Sequence, residues 1–167
     1  MQSRKLLSWY QIVGGAAGII AIDWAYPSLF AQAEAGARAA LTLTMLAASL
    51  PFALTVVSGI LLDRRKRGAT TIGLVLQALQ VPIVSLSGSS WVFLAGPYLG
   101  PLWRGGRMTL AFGISAKIEM GATGADATTM IGVNLVPLAV AWLILRLARR
   151  GLELGNTQIR TEPLADA

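Results

Sequence analysis

Three side chains with hydrogen-bonding chemistry stand inside otherwise apolar stretches: Gln77, Gln80 and Asn134. An amide in hydrocarbon without a partner costs several kcal/mol, so these groups are expected to turn inward and meet polar partners. Gln77 and Gln80 are three residues apart and share a face if their segment is helical. Asn134 falls at a depth comparable to Gln80 if its own segment runs back antiparallel. The three form a candidate cluster with two uses. As structural glue, each such bond is worth only about 0.6 kcal/mol on average. As a polar lining between helices, they would hold a ligand or a transported molecule. Pro82 and Pro137 flank the amides, and each removes a backbone donor and frees a carbonyl one turn earlier. Paired kinks beside polar residues can line a cavity.

Other groups carry less. Lys117 and Glu119 have acid–base side chains, but two-residue spacing on an alternating segment places both on a solvated face. Ser115 has no histidine to activate it, because the chain contains none, and it contains no cysteine either. Disulfides, thiol chemistry and zinc–thiolate sites are thereby excluded, and so are the commonest general base and the usual haem ligand. No catalytic residue, metal site or cofactor is expected. Arg104 and Arg107, with Lys117 and Glu119, are a candidate outer anion or recognition site. Arg64, Arg65, Lys66 and Arg67 form a basic block that suits anionic lipid headgroups and fixes topology.

The elements that must hold these residues are apolar. Of 167 residues, 54% are hydrophobic and 13% charged, against about 25% charged in a soluble domain. Four charge-free runs stand out: Leu6–Ile22, Ala39–Leu62, Gly68–Trp103 and Ala127–Leu145. A membrane-crossing helix needs about 20 apolar residues, which the first, second and fourth runs supply. The third is too long for one span. Its serine- and glycine-rich stretch from Ser85 to Ser90 predicts a helix over about 70–89 with something else beyond it. Predicted helices are about 6–25, 39–62, 70–89 and 127–147. An Ala31-Gln32-Ala33 pattern has the look of a processing site, but Asp23, Trp24, Tyr26 and Pro27 separate it from the apolar run, so a retained first helix is expected.

Orientation follows from the basic residues. With the N-terminus inside, Arg4, Lys5, Arg64, Arg65, Lys66, Arg67, Arg146, Arg149 and Arg150 lie inside, against Arg38, Arg104, Arg107 and Lys117 outside. Both termini are then cytoplasmic, and the tail 151–167 reads as flexible. Gly14 and Gly18 stand at the GxxxG spacing that lets helices approach closely, a helix-packing face.

From Arg107 to Met120 every even position is apolar and no odd position is a large apolar residue. That period of two marks a strand with one buried face, the apolar even-numbered one. With Trp91-Val92-Phe93-Leu94 upstream and Gly105-Gly106 between, it predicts a β-hairpin over about 91–120 lying over the outer helix ends. The tightest register would set Arg104 opposite Arg107, which like charge disfavours, so a looser loop or a bound anion is expected. A bend near Gly113 is expected too, because a straight strand of this length would overshoot a small bundle.

The fold class expected is a membrane all-α protein: a four-helix transmembrane bundle over 1–150 with an outer β-hairpin between helices three and four. The function expected is a small non-catalytic integral membrane protein, an accessory or scaffold subunit presenting its hairpin to a partner. The alternative is a small transporter or lipophilic-ligand binder using the Gln77, Gln80 and Asn134 region. An intramembrane enzyme would have to work from the outer rim, since no buried carboxylate is present. The partners expected are the lipid bilayer and another membrane protein or a second copy, with no nucleic acid. The location expected is a bacterial cytoplasmic (inner) membrane.

Overall fold

The computed structural model describes residues 2–160 apart from Arg65, Arg67, Gly88 and 122–128. Two long helices, α1 (Gln2–Gln32) and α2 (Arg38–Asp63), open the chain. They are long and apolar enough to cross a membrane. The Ser8 hydroxyl donates to the Gly59 carbonyl at 2.7 Å, and the Tyr26 and Thr42 hydroxyls meet at 3.1 Å, so the two helices run antiparallel. Their faces are inverted relative to a soluble helical hairpin. Most buried positions hold small or polar residues, Ser8, Gln11, Gly14, Gly15 and Gly18 on α1 and Thr55, Ser58 and Gly59 on α2, beside the apolar Leu7, Phe52 and Leu62. The exposed stripes hold Leu6, Trp9, Val13, Ile20 and Trp24 on α1, and Leu43, Leu46, Leu50, Leu54 and Val57 on α2. Small residues inside and large apolar residues outside are what helix packing in lipid selects.

Gly14 and Gly18 serve contacts within the chain. A Cβ at Gly14 would lie 2.4 Å from the Ala95 carbonyl oxygen, and one at Gly18 would enter the Phe52 ring. The spacing read as helix against helix therefore receives a strand at Gly14 and an aromatic ring of α2 at Gly18.

Helix α3 (Ala69–Leu79) is much shorter than the predicted 70–89. Pro82 cannot continue the helical ladder, and Pro82–Leu86 becomes strand β1 instead. The long strands β2 (Ser89–Arg104) and β3 (Arg107–Gly121) follow, then β4 (Met130–Val133) and helix α4 (Leu135–Arg160). Helix four thus starts later than the predicted 127 and passes the predicted end at 147. Residues 151–160, expected within a flexible tail, belong to α4, and 161–167 lie outside the described residues. At 1.5 Å per residue, α3 and the apolar part of α4 each measure about 16 Å, roughly half of a hydrocarbon core of about 30 Å.

The described residues accordingly form four helices with a four-stranded antiparallel sheet, rather than helices alone with a hairpin set on top. The hairpin itself is extended as its period predicted, but its register is the tight one. Arg104 pairs with Arg107 across Gly105-Gly106. Both glycines have positive φ, 55° and 81°, which a two-residue turn of this kind requires and glycine alone adopts freely. Both arginines are exposed, so solvent screens a repulsion of at most about 1 kcal/mol. Turn geometry outweighs it, and no looser loop forms.

The pairings force the hairpin to coil. β1 pairs antiparallel with β2 at Ile83↔Val92 and with β4 at Ile83↔Gly132, while β4 pairs antiparallel with β2 at Leu102↔Gly132. The two ends of β2 therefore point in opposite directions and close a ring through β1 and β4. β3 follows β2 one residue for one residue throughout, so the ribbon bends across its face. The turning stretch of β2 contains Gly96, Pro97, Gly100 and Pro101, and Gly113 of β3 sits opposite Tyr98 within it, where the bend was expected. Inside the ring Ile83, Val92 and Leu94 are buried, with Tyr98, Leu102 and Met130 packed on them.

One cross-strand row, Ser90–Ser85–Met130–Arg104–Arg107, carries both ends of the hairpin. Ser85 and Ser90 line the same groove as Ala21, Ala25 and Leu29 of α1. The turning stretch lies at another level: Ala95 faces Gly14 and Gly96 faces the Tyr10 ring. The hairpin thus enters at the level of the far half of α1, reaches its middle, and returns. It does not lie over the helix ends, because Gly14 provides a place for backbone halfway along α1. At the N-terminal end of α1 a separate core joins Leu7, Leu62, Ala69, Val140 and Ile144.

Candidate functional site

The amides are buried, as expected, but they serve the backbone of β2 rather than one another. In a two-residue hairpin, residues alternate between pointing N–H and C=O at the partner strand and pointing them away. Here the odd residues of β2 point away from β3. Between the parts held by β1 and β4, those odd positions include Ala95, Pro97, Leu99 and Pro101. The Ala95 N–H donates to Gln80 Oε1 at 3.2 Å, and the Leu99 N–H donates to Asn134 Oδ1 at 3.2 Å. Pro97 and Pro101 have no N–H to satisfy. From Ala95 to Pro101 every donor on that edge is either removed by proline or taken by a buried amide.

The helix ends beside it are closed in the same way. Of the last carbonyls of α3, Leu76 accepts from Gln80 Nε2 at 3.3 Å and Gln77 from the Gln80 N–H at 3.1 Å. Ala78 accepts from the Val81 N–H at 3.3 Å, and Leu79 from Trp91 Nε1 at 3.2 Å. At the start of α4, the Asn134 N–H donates to the Val81 carbonyl at 2.8 Å, and Asn134 Oδ1 accepts from Val136 N–H at 3.2 Å. Asn134 is therefore a helix N-cap and a strand surrogate at once. Pro137, third in the helix, has no donor to orphan. Pro82 and Pro137 were expected to kink two helices. Instead one begins a strand and the other sits in a first turn.

Gln77 stands apart. Both its polar atoms, both those of Gln11 and the Tyr10 hydroxyl are buried and have no hydrogen-bond partner among the described residues. Gln11 and Ser58 close on Gly73, one turn from Gln77: a Cβ there would lie 3.1 Å from Gln11 Nε2 and 3.2 Å from Ser58 Oγ. Ser58 Oγ lies 3.5 Å from the Ala69 carbonyl it faces. This seam between α1, α2 and α3 is the densest set of uncommitted polar groups described. Gln11 was missed in the sequence although the signal was present, since it is an amide within the charge-free run Leu6–Ile22. The predicted cluster thus divides. Gln80 and Asn134 hold the sheet, and Gln77, like Gln11, is buried without a hydrogen-bond partner among the described residues.

A groove of about 830 Å³ opens between α1, α2 and the base of the hairpin. Ile22, Ala25, Met45 and Phe52 line it with apolar surface, and Lys117 and Glu119 stand on its sheet wall. Those two form an ion pair at 2.8 Å, each about half exposed. It is the solvated pairing that the spacing suggested, and a contact of this kind contributes at most about 1 kcal/mol. Arg104 and Arg107 are adjacent at the hairpin tip and make no ion pair among the described residues. The turn places them across the sheet from the Lys117–Glu119 pair rather than beside it. Arg64 caps α2 and the Lys66 N–H donates to the Leu61 carbonyl. Arg65 and Arg67 lie outside the described residues.

Among the described residues no group of acidic, histidine or cysteine side chains converges as a metal site. The turning part of the hairpin presents a further feature. Met108, Leu110, Phe112 and Ile114 are 74, 68, 77 and 86% exposed. Leu99 and Trp103 flank them on the same face of β2, and both are exposed. The alternation was read correctly from the sequence, but the apolar face is the one left uncovered by the chain. No family model, no curated protein and no solved structure matches this chain.

Proposed function

We propose that this chain is a non-catalytic integral membrane protein that acts by assembly, with a β-hairpin embedded in the bilayer as its contact surface. The observation that carries the reading is the accounting along β2. Its free edge has no exposed donor between Ala95 and Pro101, because two prolines and two buried amides dispose of all of them. Burial requires such provision in any protein, and in hydrocarbon the requirement extends to the surface, where no water can substitute. The inverted faces of α1 and α2 and the uncovered Met108–Ile114 face support the same solvent. The basic asymmetry places the N-terminus and the Arg64–Arg67 block in the cytoplasm and the α1–α2 connection outside. The level of the Ser85 row then faces the outer leaflet, with Arg104 and Arg107 at its rim.

The absence of cysteine makes labelling clean. In intact cells a Ser3→Cys variant should resist an impermeant maleimide, and a Gly36→Cys variant should react, Gly36 having open space around it. Reaction at Ser3 with protection at Gly36 would invert the topology. Reaction at both positions, with the protein released by alkaline wash, would remove the membrane reading altogether.

A second reading has its own observation. The unpartnered amides of Gln11 and Gln77 are where a small polar or amphiphilic molecule entering the core would bind. A Gln11→Leu, Gln77→Leu variant that keeps its fold but loses a co-purifying small molecule would favour a ligand binder. Unchanged small-molecule content would leave assembly as the function.

A further inference from the structure

The sheet ends on β3, which pairs with β2 along one edge alone among the described strands. Since odd residues of β3 bond to β2, the even residues from Met108 to Ile118 direct their N–H and C=O groups outward. No proline, charge or bulge interrupts Met108–Ile114. Those are the usual protections of an edge strand. The contrast with β2 is internal to the molecule: one edge of the hairpin is closed donor by donor, and the other is left open over the same stretch. In hydrocarbon an open edge is not sustainable.

We infer that a second copy of this chain closes it, with β3 pairing antiparallel to β3 of the partner about a two-fold axis at Gly113. The inference rests on the membrane reading above and adds partner, edge and register to it. Backbone parity restricts the choice, because outward-facing even residues must meet even residues. Centring the axis on Phe112 would set Arg107 opposite Lys117, a like-charge clash at both ends. Centring it on Ile114 would leave Arg107 opposite Gly121. Centring it on Gly113 sets Arg107 opposite Glu119 of the partner subunit, twice by symmetry, with Phe112 opposite Ile114 and Leu110 opposite Ala116. In this register Arg107 gains a carboxylate, and the Arg107–Glu119 positions are a non-hydrogen-bonded pair, whose side chains stand closest. For both copies to sit the same way up in a membrane this two-fold must run along the membrane normal.

The test uses paired cysteines in the full chain in isolated membranes, treated with a copper–phenanthroline oxidant. Ala111 lies opposite Ser115 of the partner in the Gly113 register. An Ala111→Cys, Ser115→Cys double variant should become a covalent dimer, whereas each single variant should stay largely monomeric. Within one strand the two positions are about 13 Å apart, too far for an internal bond. Arg107→Glu should lower the yield about five-fold, and adding Glu119→Arg should restore it. A Thr109→Cys, Ser115→Cys pair reports the Phe112-centred register, and its cross-linking in preference to Ala111–Ser115 would overturn the assignment. Absence of cross-linking in any hairpin pair, in protein that resists alkaline extraction, overturns the dimer and leaves the membrane reading standing. Protein stripped from the membranes by the same extraction overturns both.

Discussion

Asn134→Leu should cost the protein roughly 3–5 kcal/mol and lower its unfolding temperature in mild detergent by about 10 °C. Two backbone donors, Leu99 N–H and Val136 N–H, converge on Asn134 Oδ1 at 3.2 Å each. Leucine has similar bulk and no acceptor. Each buried donor left unmade costs about 1–3 kcal/mol, and the loss of an N-cap alone costs about 0.5–2 kcal/mol. The temperature shift follows from about 2–4 °C per kcal/mol in a chain of this size. Both bonds use an oxygen acceptor, so Asn134→Asp should retain most of the stability, aided by the positive end of α4. Thermal unfolding monitored by near-ultraviolet circular dichroism separates the two variants. Equal loss for both would mean that Asn134 fills space and does not terminate the edge of β2.

Gly14→Val should be as severe for a different reason. The added Cβ falls 2.4 Å from the Ala95 carbonyl oxygen and 3.1 Å from its carbon. Neither neighbour is a flexible side chain, so relief requires α1 and β2 to separate. Overpacking commonly costs about 1–3 kcal/mol, and a wedge between helix and strand backbone belongs at or above the upper end. Gly36→Val provides the control, since nothing lies within 4 Å of the added carbon. Loss of folded protein at position 14 with normal yield at position 36 is the expected pattern. Equal yields would show that β2 does not rest against the middle of α1.

These two positions also show how far the sequence could be read. The alternation from Arg107 to Met120 is a property of side chains along one strand, and it gave the hairpin and its turn without any partner being known. The apolar runs gave α1 and α2 for the same reason. The sequence reading extends helix α3 too far because Thr70–Ser89 is charge-free throughout, and a buried helix and a buried strand are alike in composition. Pro82 was the available stop signal. What decided the matter was the contact of β1 with β4, residues some fifty positions later. The roles of Gln80 and Asn134 were illegible for a related reason. Burial followed from their chemistry, but their partners are backbone groups, which leave no trace in residue identity. Prolines 97 and 101 carried that information indirectly, as missing donors at alternate positions of an open edge.

The uncovered face of the hairpin concentrates the question of solvent. Met108, Leu110, Phe112 and Ile114 are an aggregation site in water and an ordinary surface in lipid. The charged residues of the hairpin bracket them, Arg104 and Arg107 on one side and Lys117 and Glu119 on the other. A segment that dips into the bilayer from the outer side and returns would be bracketed in this way.

The most direct measurement is the collision accessibility of a nitroxide spin label at Phe112→Cys in reconstituted bilayers, compared with one at Gly36→Cys. Oxygen partitions into lipid, and a neutral nickel chelate stays in water. The account predicts that the label at position 112 is accessible to oxygen and shielded from nickel, and that the label at position 36 shows the reverse. A label at 112 as accessible to nickel as the one at 36 would place the hairpin in water and contradict the account.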